Sequence, residues 1–179
     1  MTLFRRLFFG LLLISVSCFG LIDDNNEAIT IESDAAERNE NTGLTQYSGN
    51  VIIRQGSLIV DADSVEVHYR DDRVNRILCF GNPASYQQKT QSGGQILARA
   101  GTIEYFPADK IINLKTDASL SKNGTLIKGD SINYDIAAET WRAKGDNQSN
   151  QKRIQLVIPP LSKTETQDTN SDNELSEPK

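Results

Sequence analysis

The residues most able to do chemistry recur at equivalent places. Asp34 in SDAA, Asp63 in ADSV and Asp130 in GDSI each sit between small or hydroxyl neighbours, and Gly101 in AGTI takes the same place in a further copy. Repeated carboxylates raise two chemistries, oxygen ligation of calcium and paired acid–base cleavage of a glycosidic bond. Gly101 breaks the ligand pattern, and no EF-hand or glycine-rich calcium loop is present. The acids also fall where strands are expected to turn a corner, not across a cleft. His68 is the single histidine. It lies beside the charged turn YRDDR, is expected to be exposed, and has no serine or cysteine partner in a recognisable catalytic motif. Cys79 in RILCFG reads as a small buried hydrophobe. Trp141 in ETWRAKGD is expected to cover the end of the last repeat, with stacking on a sugar as the alternative. No enzyme activity, metal site or cofactor is expected from these residues.

The elements that must position them begin after a leader. Arg5 and Arg6 precede a short apolar run from Leu7 to Val16, the form of a signal peptide and too short to span a bilayer comfortably. Cleavage is expected after Gly20, which assigns residues 1–20 to the leader and 21–27 to a flexible N-terminus. Two other routes stay open: lipidation at Cys18, although Ser15 stands where an apolar residue is usual, and twin-arginine export. With Cys18 removed, Cys79 has no internal disulfide partner. A net charge of −5 and the lack of a basic stripe with interleaved aromatics argue against nucleic acid or an anionic membrane surface as the partner. From Pro159 the chain turns polar and acidic, so residues 159–179 are expected to form a disordered tail. The folded domain is then residues 28–158.

Within that domain, short runs rich in Val, Ile, Tyr and Thr are separated by Gly, Asn and Asp, which predicts an all-β antiparallel protein. Asn123-Gly124 predicts a tight hairpin turn. The runs VDADSVEV, ARAGTIEY, IKGDSINY and IESDAAER align, and in each the apolar alternation slips at the acid or glycine. A second element follows at Gly49-Asn50, Gly81-Asn82, Thr116-Asp117 and Gly145-Asp146. The spacing from first to second element is 16, 19, 16 and 16 residues. A one-residue slip would turn every later side chain to the other face unless a bulge or corner absorbs it. The chain is therefore expected to build repeated bent antiparallel hairpins, with Gly and Asp at the slip taking the unusual backbone angles.

Stacked bent hairpins make two facing sheets with an apolar gutter between them. Its expected lining is Ile29, Ile31, Val51, Ile53, Val60, Val65, Val67, Tyr86, Ile103, Tyr105, Leu114, Leu120, Ile127, Ile132 and Tyr134, with no charged residue. The same residues could instead form a sealed core. The first and last strands of such a stack are open to pairing with another chain, and Leu156, Val157 and Ile158 form an apolar run at the last edge.

ITIESDAAE, YSGNVIIRQGSLIVDADSVEV, GNPASY and IKGDSINYD, in this order and spacing, resemble the OstA-like family of lipopolysaccharide-export proteins, and within it the periplasmic LptA type. The resemblance runs from Ala28 to Ile158. It implies a V-shaped OstA-like β-jellyroll in the periplasm that shelters lipopolysaccharide acyl chains in its groove. It also implies edge-strand contacts with LptC-like inner-membrane and LptD-like outer-membrane proteins, and head-to-tail self-association. Ile29, Ile31, Tyr86 and Tyr105 match groove-lining positions of the family. Tyr86 departs from it by carrying a hydroxyl, and Pro107, which cannot donate to a ladder, follows the third repeat strand. An LptC-like partner, a purely structural periplasmic adaptor and a carbohydrate-active envelope enzyme are the alternatives.

Overall fold

Val60 and Ala62 are buried in one phase of a strand and Val65 and Val67 in the other, with the slip at Asp63-Ser64. The computed structural model describes residue 24 and residues 27–90, 93–146 and 153–160. The expected leader, and the expected tail beyond Pro160, lie outside these residues. Ten strands are present: β1 (Thr30–Glu32), β2 (Ala35–Asn39), β3 (Leu44–Gln55), β4 (Leu58–Arg70), β5 (Arg73–Lys89), β6 (Gln95–Phe106), β7 (Ile111–Lys122), β8 (Thr125–Asp135), β9 (Thr140–Lys144) and β10 (Gln155–Val157). All pair antiparallel in the order β1-β3-β4-β5-β6-β7-β8-β10, with β2 also on β3 and β9 also on β8.

The two sheets expected from the sequence are one continuous sheet with a crease. Register shifts fall between Ser48 and Val51, Asp61 and Ser64, Phe80 and Ala84, Arg99 and Thr102, and Lys115 and Ala118. They line up across the sheet, so each long strand bends at the same level. β1 and β2 pair with the two halves of β3, and β9 and β10 with the two halves of β8. Eight strand positions result, the first and last broken in two at the crease. The first leaf holds β2, β9 and the adjoining halves of the long strands; the second leaf holds β1, β10 and the other halves.

In two of the four copies the unusual backbone angles lie on the second recurring element, which corrects the expectation that the repeated acids take them. Gly49 (φ 77°), Asn50 (47°), Thr116 (69°) and Asp117 (54°) are left-handed, whereas Asp34, Asp63 and Asp130 are not. The acid instead serves the corner opposite it. Asp34 accepts a hydrogen bond from Asn50 Nδ2 (2.8 Å), and its backbone N–H donates to the Gly49 carbonyl (3.0 Å). In the third copy, where Gly101 stands in place of the acid, a Cβ would lie 3.1 Å from the Thr116 Cβ, a tight contact. Asn123-Gly124 forms the expected β7–β8 turn, both residues at positive φ.

The buried residues of both leaves form one apolar cluster. Tyr86 of the second leaf and Tyr105 of the first meet edge to face, with ring centroids 5.8 Å apart. The leaves therefore face each other, and alternation sends every second side chain into the space between them.

Candidate functional site

The space between the leaves is filled by the residues expected to line it. Val51, Ile53, Val60, Val65, Val67, Tyr86, Ile103, Tyr105, Leu114, Leu120, Ile127, Ile132 and Tyr134 are all at most 3% exposed. Ile29 and Ile31 are half-buried against this cluster at the first edge. Instead of an open gutter, the structure holds a closed, packed interior whose inner faces touch. Each fully buried aliphatic side chain contributes about 1.5–3 kcal/mol of apolar burial.

Two inner rows run the full width of the sheet. In the second leaf, register connects Ile31, Ile53, Val60, Tyr86, Ala98, Leu120, Ile127 and Leu156. In the first leaf it connects Arg38, Thr45, Val67, Ile77, Tyr105, Ile112, Tyr134 and Trp141. Both rows end in exposed side chains at the last edge. Trp141, Ile154, Leu156, Val157 and Ile158 are 41–70% exposed and gather there, with Ile59 and Leu97 the other exposed large hydrophobics among the described residues. Leu156 and Val157 pair with β8, and Ile158 lies just past β10. Trp141 thus ends the inner row of the first leaf at the open edge.

Polar contacts gather at the leaf tips opposite the crease, most of them within the second leaf. Asp24 is 6% exposed and accepts from Ser57 N (2.7 Å), Ser57 Oγ (2.6 Å) and Gln88 Nε2 (2.8 Å). Burial pushes its pKa up, but the hydrogen bonds from the Ser57 side chain, the Ser57 backbone and Gln88 outweigh this and leave it below the ordinary aspartate range. The Tyr86 hydroxyl donates to Gln88 Oε1, so the extra oxygen of this tyrosine is satisfied inside the fold. Gln55 Nε2 holds the Glu27 carbonyl (3.1 Å). Further along, Lys122 of the second leaf meets Glu139 of the β8–β9 turn at 2.8 Å, close to the Tyr134 hydroxyl. Lys122 pairs with Ile96 and shares its inward phase, which corrects the expectation of an interior rim without charge.

Outside the leaves the chemistry is structural. Glu104, nearly buried on the outer face, holds Arg76 (3.4 Å), Lys115 (3.3 Å) and Asn113 (3.3 Å). His68 is half-buried rather than exposed, with Nε2 3.3 Å from Arg76, its cross-strand partner on β5, and 3.5 Å from Glu66, two residues before it on β4. Cys79 is fully buried, and burial pushes its thiol up to about 12, which leaves no thiolate for reaction. Among the described residues no three His, Cys, Asp or Glu side chains gather as a metal site would require.

A creased antiparallel sheet with apolar inner faces and two open edges defines the class. Residues 30–140 match the family described as LptA/(LptD N-terminal domain) LPS transport protein, and the chain belongs to that family. It is 27% identical over 153 residues to the lipopolysaccharide export system protein LptA of Haemophilus influenzae, covering 84% of this chain and 87% of that protein. To LptA of Escherichia coli K12 it is 28% identical over 164 residues, covering 90% and 85%. The crystal structure of LptH, the LptA-homologous periplasmic component of the lipopolysaccharide transport device of Pseudomonas aeruginosa, superimposes with a TM-score of 0.70 at 27% identity. That superposition covers 76% of this chain and 99% of the other.

Asp24, Gln88, Lys122, Glu139 and Arg38 were not singled out from the sequence. Gly56 is the one local signal for Asp24: it is left-handed (φ 57°), and a Cβ there would lie 2.3 Å from the Asp24 carboxylate. The partners of Asp24 are 33 and 64 residues away, so no short window contains the tie.

Proposed function

We propose that the chain is a periplasmic lipopolysaccharide carrier that holds acyl chains between its leaves and hands them from edge to edge. The observation that carries this is the pair of inner rows, apolar throughout in the second leaf and from Val67 onward in the first, which emerge at the last edge as Leu156 and Trp141. A sealed domain needs no apolar row that runs out into solvent; a conduit does. Ile29, Ile31, Val51, Ile53, Val65, Val67, Tyr86, Ile103, Tyr105 and Ile132 would contact the acyl chains. Each methylene kept from water is worth about 0.8 kcal/mol. Because the interior is packed, the leaves must part at the tips, where contacts are polar and few, and the lipid then replaces leaf-to-leaf contact. Sugars and phosphates stay outside, so the chemistry is transfer without bond breaking.

The same reading assigns the open edges to assembly. Leu156, Val157 and Ile158 at one end, and β1 and β2 at the other, would pair with further copies or with LptC-like and LptD-like partners, bridging the inner and outer membranes. Export requires removal of residues 1–20, with residues 28–158 as the working domain and 159–179 as a tail. The packed interior favours one competing reading, a structural adaptor with a sealed core. Site-specific photo-crosslinking in cells separates them, with the reactive residue at Ile31, at Tyr105, or at Glu66 on the outer face. Lipopolysaccharide adducts at the first two and not at Glu66 support the carrier. Their absence from a folded, exported protein leaves the adaptor.

A further inference from the structure

We infer that Lys122 is the landing point for a phosphate of the carried lipid, and that Glu139 holds this cation until the phosphate takes its place. This rests on the carrier reading proposed above and deepens it, by naming the headgroup chemistry that the mouth between the leaves accepts.

The ion pair bridges the two tips. Lys122 ends β7 at the tip of the second leaf, and Glu139 closes the β8–β9 turn at the tip of the first. Their side chains meet at 2.8 Å. The ion-pair contacts of Arg38, Arg54, His68, Arg76 and Lys115 each stay within one leaf. The turn that presents Glu139 is fixed to the first leaf: the Ile136 N–H donates to the Lys110 carbonyl (2.9 Å) and the Ala138 N–H to Asp135 Oδ1 (2.8 Å). Parting the leaves therefore carries Glu139 away from Lys122 and breaks the pair.

Lys122 stands where a headgroup would be. Leu120, two residues before it, is 1% exposed in the inner row of the second leaf, and Ile96, its cross-strand partner on β6, is fully buried. Strand rise carries Lys122 about 7 Å beyond Leu120 toward the tip. Acyl chains lying on Leu120 thus bring the sugar that bears them up to the ammonium. The Lys122 side chain is 21% exposed. Burial lowers its pKa, but the hydrogen bond to Glu139 and the nearness of Tyr134 and Glu139 outweigh this and raise it above the ordinary lysine value, so the group stays a cation. The Tyr134 hydroxyl is buried beside it without a well-formed hydrogen bond, which leaves a second donor for an anion's oxygen.

Phosphate suits this place better than a neutral head. A partly buried ammonium left without a partner is costly, so leaves that merely opened would be penalised. A phosphate monoester carries more negative charge than a carboxylate at neutral pH, and lysine takes phosphate as a point charge. Exchange of Glu139 for phosphate keeps the cation paired in both states, closed and empty or open and loaded.

Binding of radiolabelled lipid A to the purified protein tests this, with the lipid intact or stripped of its phosphates. The wild-type protein should prefer the intact form. Lys122→Gln should lose about ten-fold in affinity for the intact lipid and with it the preference, and Lys122→Arg should keep both. Glu139→Gln should instead bind both forms about two- to five-fold more tightly, since parting the leaves no longer breaks the pair. A pair with a merely structural role would shift both variants the same way with both lipids. Millimolar inorganic phosphate, at an ionic strength matched with chloride, should leave lipid binding unchanged; displacement of the lipid would make Lys122 a free-phosphate site and overturn the headgroup assignment. Equal binding of the two lipids by the wild type, or variants that shift together, overturns the role of Lys122 while the carrier reading stands. A wild-type protein that binds neither lipid overturns both.

Discussion

Asp24→Ala should destabilise the tip of the second leaf, where one carboxylate holds the β3–β4 turn and the end of β5. The carboxylate accepts from Ser57 N, Ser57 Oγ and Gln88 Nε2 at 2.6–2.8 Å and is nearly buried. A hydrogen bond to a charged group is worth about 1.5–3 kcal/mol. The three are not additive, since two come from one residue, and a residue freed from the fold regains about 1–2 kcal/mol of backbone entropy. The net loss is therefore about 2–3 kcal/mol, or about 6–12 °C in Tm for a fold of this size. Thermal unfolding followed by circular dichroism reads it directly. The pH dependence supplies an independent check. A carboxylate whose folded pKa lies below its unfolded value stabilises fully above the unfolded value, near 3.8, and that contribution is lost as pH falls through the folded pKa. The wild-type advantage over Asp24→Ala should thus be constant from neutral pH to about 5 and shrink steadily below 4. A variant that melts within 2 °C of wild type, or an advantage that does not shrink in acid, would refute the tie.

Other changes read separate parts of the structure. Thr116→Gly should stabilise by about 0.5–1 kcal/mol, since a β-branched residue at φ 69° carries strain that glycine does not, measured by urea denaturation. Cys79 should resist a thiol reagent at pH 8 in the native protein and react at once in urea, because burial holds its thiol near 12. Tyr86→Phe should cost about 1 kcal/mol by leaving Gln88 Oε1 without its donor, again by denaturant titration. Deleting the chain from Ile154 onward removes β10 and the apolar run at the last edge; self-association read by sedimentation should fall while the domain stays folded.

How much of this was legible before the structure differs by level. The bend at Asp63-Ser64 could be read because strand alternation has a period of two and a slip inverts it, so Val60 and Val65 betray the crease from composition alone. Asn123-Gly124 was legible because its turn admits few other residues. The site of strain was not: Asp34 and Gly101 mark the corner, but the left-handed residues are Asn50 and Thr116, on the neighbouring strand, and only pairing brings them together. The interior residues were identified by phase, yet phase does not say whether Tyr86 and Tyr105 face a gap or each other. That depends on the distance between leaves, which sequence-local rules do not encode. Asp24 was missed because its partners lie far along the chain, and Lys122 because its partner Glu139 is set by how the tips close.

The central claim is that acyl chains enter between the leaves and push them apart. Pulsed electron–electron spin resonance measures this, with spin labels at Gln87→Cys on the second leaf and Asp109→Cys at the first leaf's tip, both exposed. A layer of hydrocarbon between two packed faces adds about 4 Å of carbon–carbon contact distance. On adding lipopolysaccharide at saturating concentration, the label separation should lengthen by about that amount or more. Bound lipopolysaccharide with an unchanged separation would contradict the account.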